Sequence, residues 1–185
     1  VVEFTDPADI NVQKGSTSLT GSATSTSVTL GTPVDINSTF LLVGYRTAGT
    51  GSDVGARMLR ALLVDSSTIT IDRGIAGTPD DITEIVWQAV ELRDGSVVQR
   101  GAESFASGVA QRTVSISPVS TGRSVALASV QPVGGQNMGQ SSYGGDDIIG
   151  VCSVTMALAA SQVTMDRSST VSGCDVGWFV IDFAP

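Results

Sequence analysis

The chain of 185 residues contains no histidine and a single lysine, Lys14. Without histidine, the commonest general base and metal ligand is missing, so a Ser-His-Asp hydrolase and a histidine-ligated metal site are both excluded. Charge of either sign is scarce. Asp, Glu, Lys and Arg make up 15% of the residues, where ordinary soluble domains carry roughly 25%. Acids outnumber bases 18 to 10, and the arginines are scattered. No basic face is available for a phosphate backbone, so nucleic acid is not an expected partner. Apolar runs stop at about five residues, far short of the ~20 that cross a bilayer as a helix. Membrane insertion is therefore not expected.

Ser, Thr and Gly fill the space that charge leaves, and they do so with a period of two. Ser27-Val28-Thr29-Leu30, Thr68-Ile69-Thr70-Ile71, Thr113-Val114-Ser115-Ile116 and Gln162-Val163-Thr164-Met165 alternate apolar with hydroxyl or amide side chains. Such alternation buries one face of a strand and wets the other.

The sequence also repeats itself. Val12-Gln13-Lys14-Gly15 returns as Val98-Gln99-Arg100-Gly101, and the match runs without a gap through Leu19/Phe105, Val28/Val114 and Leu30/Ile116. Phe40-Leu41-Leu42 then falls on Val125-Ala126-Leu127. Ser67 to Arg73 falls on Ser161 to Arg167, and Met58 to Val64 on Cys152 to Leu158. Trp87-Gln88-Ala89-Val90-Glu91-Leu92 falls on Trp178-Phe179-Val180-Ile181-Asp182-Phe183. Matching blocks in one order establish a duplication. The expected fold is all-β: two tandem antiparallel β-sandwich units of six to seven strands each, spanning 5–93 and 94–185. Strands are expected near 11–15, 25–30, 39–46, 56–64, 67–73 and 84–93, with partners in the second copy. Asp94-Gly95 is the short turn that joins the copies.

Residues 1–4 (Val1, Val2, Glu3 and Phe4) resemble the ends of both copies but follow no tryptophan. They read as an orphan or donated strand. Either the sequence is a slice of a longer array, or this segment pairs with another subunit.

The order of features, a leading Val-Gln-x-Gly, an alternating strand ahead of Pro33 or Pro118, a long apolar strand and a closing tryptophan strand, resembles the H-type lectin fold. That fold is a six-stranded antiparallel sandwich seen in snail agglutinins and the C-terminal domain of discoidins. The chain also looks like repeats of large bacterial surface proteins. The resemblance implies a sandwich for each unit and, by analogy with lectins that bind galactose-type sugars and form trimers, glycans as a second class of partner.

Candidate chemistry is sparse. Cys152 and Cys174 stand 22 residues apart at strand-like positions; they are either bridged or two buried thiols, and a disulfide is expected in so lysine-poor and Ser/Thr-rich a chain. Asp80-Asp81 and Asp146-Asp147 read as solvated turn residues, although Asp53, Asp146 and Asp147 offer oxygens of the kind calcium takes; no metal or cofactor is expected. Asp72-Arg73 and Asp166-Arg167 recur at strand ends as ion pairs or backbone caps. Trp87 and Trp178, heading the last strand of each copy, suit packing better than sugar stacking. The Gly-rich loop 131–147, much longer than its counterpart 47–57, makes Gln136, Asn137, Tyr143, Asp146 and Asp147 the candidate partner contacts. Asn37 opens an N-glycosylation triplet.

The functional expectation is a non-enzymatic structural repeat of a surface filament, fibre, sheath or adhesin stalk, at the cell surface, outside the cell or on a virion, whose partner is itself. The alternative is a carbohydrate- or partner-binding module using the 131–147 loop. If residues 1–4 pair outside their own units, removing residues 1–5 weakens self-association. Assembly that is unchanged in sedimentation of the shortened chain would make that strand a bystander.

Overall fold

The computed structural model describes residues 6–48, 54–76, 82–133 and 148–185. The first copy contributes β1 (Ile10–Leu19), β2 (Ser25–Thr29), β3 (Thr39–Thr47), β4 (Leu59–Leu63), β5 (Thr68–Arg73) and β6 (Ile82–Leu92). The second contributes β7 (Val97–Phe105), β8 (Gln111–Ser115), β9 (Ser124–Pro132), β10 (Val154–Ala159), β11 (Gln162–Arg167) and β12 (Cys174–Asp182). Each copy builds two three-stranded antiparallel sheets. In the first these are β1-β6-β3 and β2-β5-β4, in the second β7-β12-β9 and β8-β11-β10. Two β-sandwich units with one topology follow, with six strands in each among the described residues.

Register fixes the equivalence residue by residue. Trp87 lies between Gly15 and Val43, and Trp178 between Gly101 and Ala128. Ile71 pairs with Ala61 and Thr26, and Met165 with Met156 and Arg112. The alternating segments put Ile69 and Ile71, or Val163 and Met165, into the two cores.

Four repeated residues show why the motif is needed. Gln13 donates to the Thr32 carbonyl and accepts from the Thr32 N–H; Gln99 does the same with Ser117. The amide acts as a length of strand for the residue ahead of Pro33 or Pro118. Gly15 and Gly101 make room for tryptophan: a Cβ there would meet the Trp87 ring at 2.7 Å and the Trp178 ring at 2.5 Å. Glu91 accepts from the Asp35 N–H, and Asp182 from the Ser120 N–H, tying the closing strand to the loop before β3 or β9. Burial alone would raise the Glu91 carboxyl, but the Asp35 N–H, the Asn11 amide and the Arg93 guanidinium outweigh it and hold the group below its ordinary value.

The arginine of each Asp-Arg pair is the fourth. Arg73, 1% exposed, donates to the carbonyls of Ala23, Ala56 and Gly21. Arg167 donates to Val109, Val151, Ser172 and Ala106 at 2.7–3.1 Å and lies 5.0 Å over the Phe105 ring. These are backbone caps. Charge-assisted bonds to several carbonyls offset the desolvation that lowers the Arg167 pKa. The aspartates turn elsewhere: Asp72 accepts from Arg60 and Asp166 from Gln111.

Cys152 and Cys174 are bridged, with Cα atoms 5.4 Å apart. Closing a loop of this length contributes about 3 kcal/mol in the chain-entropy account. Cys174 opens β12, but Cys152 is not a strand residue: it follows a 3-10 turn, Ile149–Val151, and precedes β10.

Other expectations shift too. The segment 56–64 begins with a helical turn, Val54–Arg57, so only Leu59–Leu63 is strand. By register Leu59 corresponds to Val154, one residue off the sequence match that set Met58 on Cys152. β1 runs well beyond residue 15, because β6 is long enough to pair with all of it. Each tryptophan sits inside its closing strand rather than at its start. Residues 131 and 132 belong to β9, not to the long loop.

Replacing Gly15 or Gly101 with alanine is expected to destabilise by about 1–3 kcal/mol, the range for an overpacked core, because the obstructing atoms belong to a ring with little freedom to move. A urea midpoint unchanged in both variants would show that the tryptophans need no such clearance.

Candidate functional site

The most elaborate constellation among the described residues lies where the two units meet. In the first unit, β3 and β4 are edge strands of facing sheets, so that side of the sandwich is open. The second unit covers it with the outer face of β7-β12-β9. Phe179 and Ile181 from β12 and Val98 from β7 belong to the first unit's core cluster. The inward face of β12, with Val176, Trp178 and Val180, serves the second unit's own core. β12 is therefore buried on both faces, which is why its apolar residues run together instead of alternating.

The contact is close because β12 has a glycine where β4 passes. A Cβ on Gly177 would meet Leu62 Cδ2 at 2.7 Å and the Ala61 carbonyl oxygen at 2.9 Å. The backbone groups on the free side of β4 must also find partners. Ala61 N–H donates to Ser129 Oγ at 2.9 Å, and the Ser129 hydroxyl lies 3.3 Å from the Ala61 carbonyl oxygen. Arg100 donates from Nε to the Leu63 carbonyl (3.0 Å) and from Nη1 to the Ile36 carbonyl (2.8 Å). A serine and an arginine thus do for β4 what a fourth strand would otherwise do.

Arg60 extends the contact by charge. It makes two hydrogen bonds to Asp72 in its own unit and reaches Asp175 of the second unit at 3.6 Å. The Asp72 hydrogen bonds raise its pKa against the opposing effect of burial, with both carboxylates adding to the rise. The Val98 N–H donates to the Asn37 carbonyl at 2.6 Å, beside the joining turn where Gly95 takes a φ of 91°.

Two clefts flank the junction. One, of about 460 Å³, is lined by Asn37, Leu62, Val64, Arg100, Gly101 and Trp178 among others. The second, of about 180 Å³, lies between β3 and β9.

Of the residues singled out in the sequence, Cys152 and Cys174 are brought together. Asn37 is exposed and sits on the larger cleft. Trp87 and Trp178 are buried in the cores. Val1, Val2, Glu3, Phe4, Asp53, Asp80, Asp81, Gln136, Asn137, Tyr143, Asp146 and Asp147 lie outside the described residues. Among the described residues, no three His, Cys, Asp or Glu side chains gather as metal ligands, and no helix is long and apolar enough to cross a membrane. Sequence reading missed Gly177, Ser129 and Arg60. The one available signal was the break in alternation along 176–181. Comparison with protein-family models, with curated proteins and with solved structures finds no match.

Gly177→Val should separate the units without unfolding either sheet pair, because the added methyls enter space that Leu62 and Ala61 already fill. Limited proteolysis is expected to cut within residues 93–96 at least several-fold faster than in the parent. Equal cutting rates would mean that the junction accommodates the side chain.

Proposed function

We propose that this chain is a non-enzymatic, extracellular structural repeat protein that self-associates through β-strand contacts, as a subunit of a surface filament, fibre or sheath. The observation that carries this reading is the shared core at the junction: one unit's open side is closed by the face of the next. A unit of this kind gains its last stabilising surface from a neighbour, which is the economy of stacked repeats. The duplicated polar residues support it as well. Gln13, Gln99, Glu91, Asp182, Arg73 and Arg167 are each bonded to backbone groups that shape the sandwich. The disulfide supports an oxidising location outside the cytosol.

Sedimentation velocity over a broad concentration range, followed by negative-stain electron microscopy, tests the proposal. The expected result is a concentration-dependent series of linear oligomers. A monomer at every concentration overturns it. Binding of the same material to a glycan array without assembly would favour the carbohydrate-module reading instead.

A further inference from the structure

Because the chain is a duplication, each surface used at the junction has a counterpart on the other unit. The covering face of the second unit, Val98, Arg100, Leu127, Gly177 and Phe179, corresponds by register to Val12, Lys14, Leu42, Val86 and Gln88 on the outer face of β1-β6-β3. The covered side of the first unit, Arg60 to Leu63 on β4, corresponds to Thr155 to Leu158 on β10. Within the chain these surfaces are hidden: Val98 is 2% exposed. Part of this face is open: Val12 and Val86 are 44% and 43% exposed, whereas Phe40 and Val90 on the same face are buried and Leu42 borders the β3–β9 cleft at the junction. On β10, Thr155 and Ala157 are exposed, and Met156 and Leu158 only half-buried. β10 is also an edge strand.

We infer that the outer face of β1-β6-β3 is the docking surface for β10 of a second copy of this chain, in a more widely spaced form of the contact that joins the two units within one chain. The inference rests on the self-association proposed above and names its two surfaces. Bulk is exchanged in register between the two contacts. Within the chain Leu62 lies on Gly177; between chains Ala157 lies on Val86. A valine cannot stand where Gly177 does, since its Cβ would lie within 3 Å of Leu62 and Ala61. Ala157 in place of Leu62 removes the side-chain part of that obstruction, and the backbone carbonyl that remains, Met156 in place of Ala61, keeps the Val86 face at a wider spacing from β10 than Gly177 keeps from β4. Lys14 takes the place of Arg100, with the Leu158 carbonyl as its acceptor. Two junction features have no counterpart: Gly44 replaces Ser129, and the Arg60–Asp175 pair becomes Thr155 and Glu84. The contact between chains is accordingly weaker than the one within a chain. It is also heterologous, so it propagates from copy to copy, as an open line where the rotation between copies does not close a ring.

Val86→Glu blocks one surface and Ala157→Glu the other. Both positions are exposed, and thermal unfolding checks that each variant keeps its fold; Val12→Glu and Thr155→Glu repeat the test at neighbouring sites. Each variant alone should associate about a hundredfold more weakly or less, since a carboxylate would be buried without a partner. Mixed one to one, the two should form heterodimers and nothing larger, because one intact copy of each surface remains. A parent that stays monomeric sinks both the proposed function and this inference. A parent that assembles alongside variants that assemble equally well sinks only the assignment of surfaces. Variants that fail alone and also fail when mixed overturn the heterologous geometry.

Discussion

A three-stranded sheet has one interior strand and two edges, and a sandwich of two such sheets leaves two sides open. That constraint governs the molecule. Roughly ninety residues bury a smaller fraction of their surface than a larger domain does, and in the first unit the β3/β4 side is not closed from within. Closure comes from Phe179 and Ile181 of the other unit, and it requires β12 to be apolar on both faces. The glycine at 177, the serine at 129 and the arginine at 100 follow from this requirement: one lets the strand approach and two satisfy its backbone.

The second unit meets the same problem differently. Its disulfide ties the start of β12 to Cys152, two residues ahead of β10, so the two sheets are fastened covalently near the side that the first unit closes with a neighbour. Beyond this difference the units share their internal wiring. The glutamine that mimics a strand, the glycine under tryptophan, the acid on the loop N–H and the arginine among carbonyls recur in both.

These shared contacts explain what could be read in advance. Gln13, Gly15, Arg73 and Trp87 leave a sequence trace because each contact needs one residue type, so duplication preserved it visibly in Gln99, Gly101, Arg167 and Trp178. Alternation gave strand identity and facing wherever one side of a strand is wet, as in β2, β5, β8 and β11. The junction was opaque for the opposite reason. Its residues differ between the copies by function, Gly177 against Val86 and Ser129 against Gly44, so comparing copies registers them only as mismatches. The helical turn Val54–Arg57 and the offset of Cys152 from β10 escaped because single turns carry no periodicity.

The disulfide has a mechanical meaning for a chain pulled along its length. Residues between Cys152 and Cys174 are bypassed by a covalent link, so tension applied at the termini cannot extend them while the bond holds. About 70 Å of contour is thereby withheld from stretching. The first unit has no such restraint, and its core loses Phe179 and Ile181 once the units part. Reducing conditions would lengthen the extensible part of the chain by that amount, and all of the gain would come from the second unit.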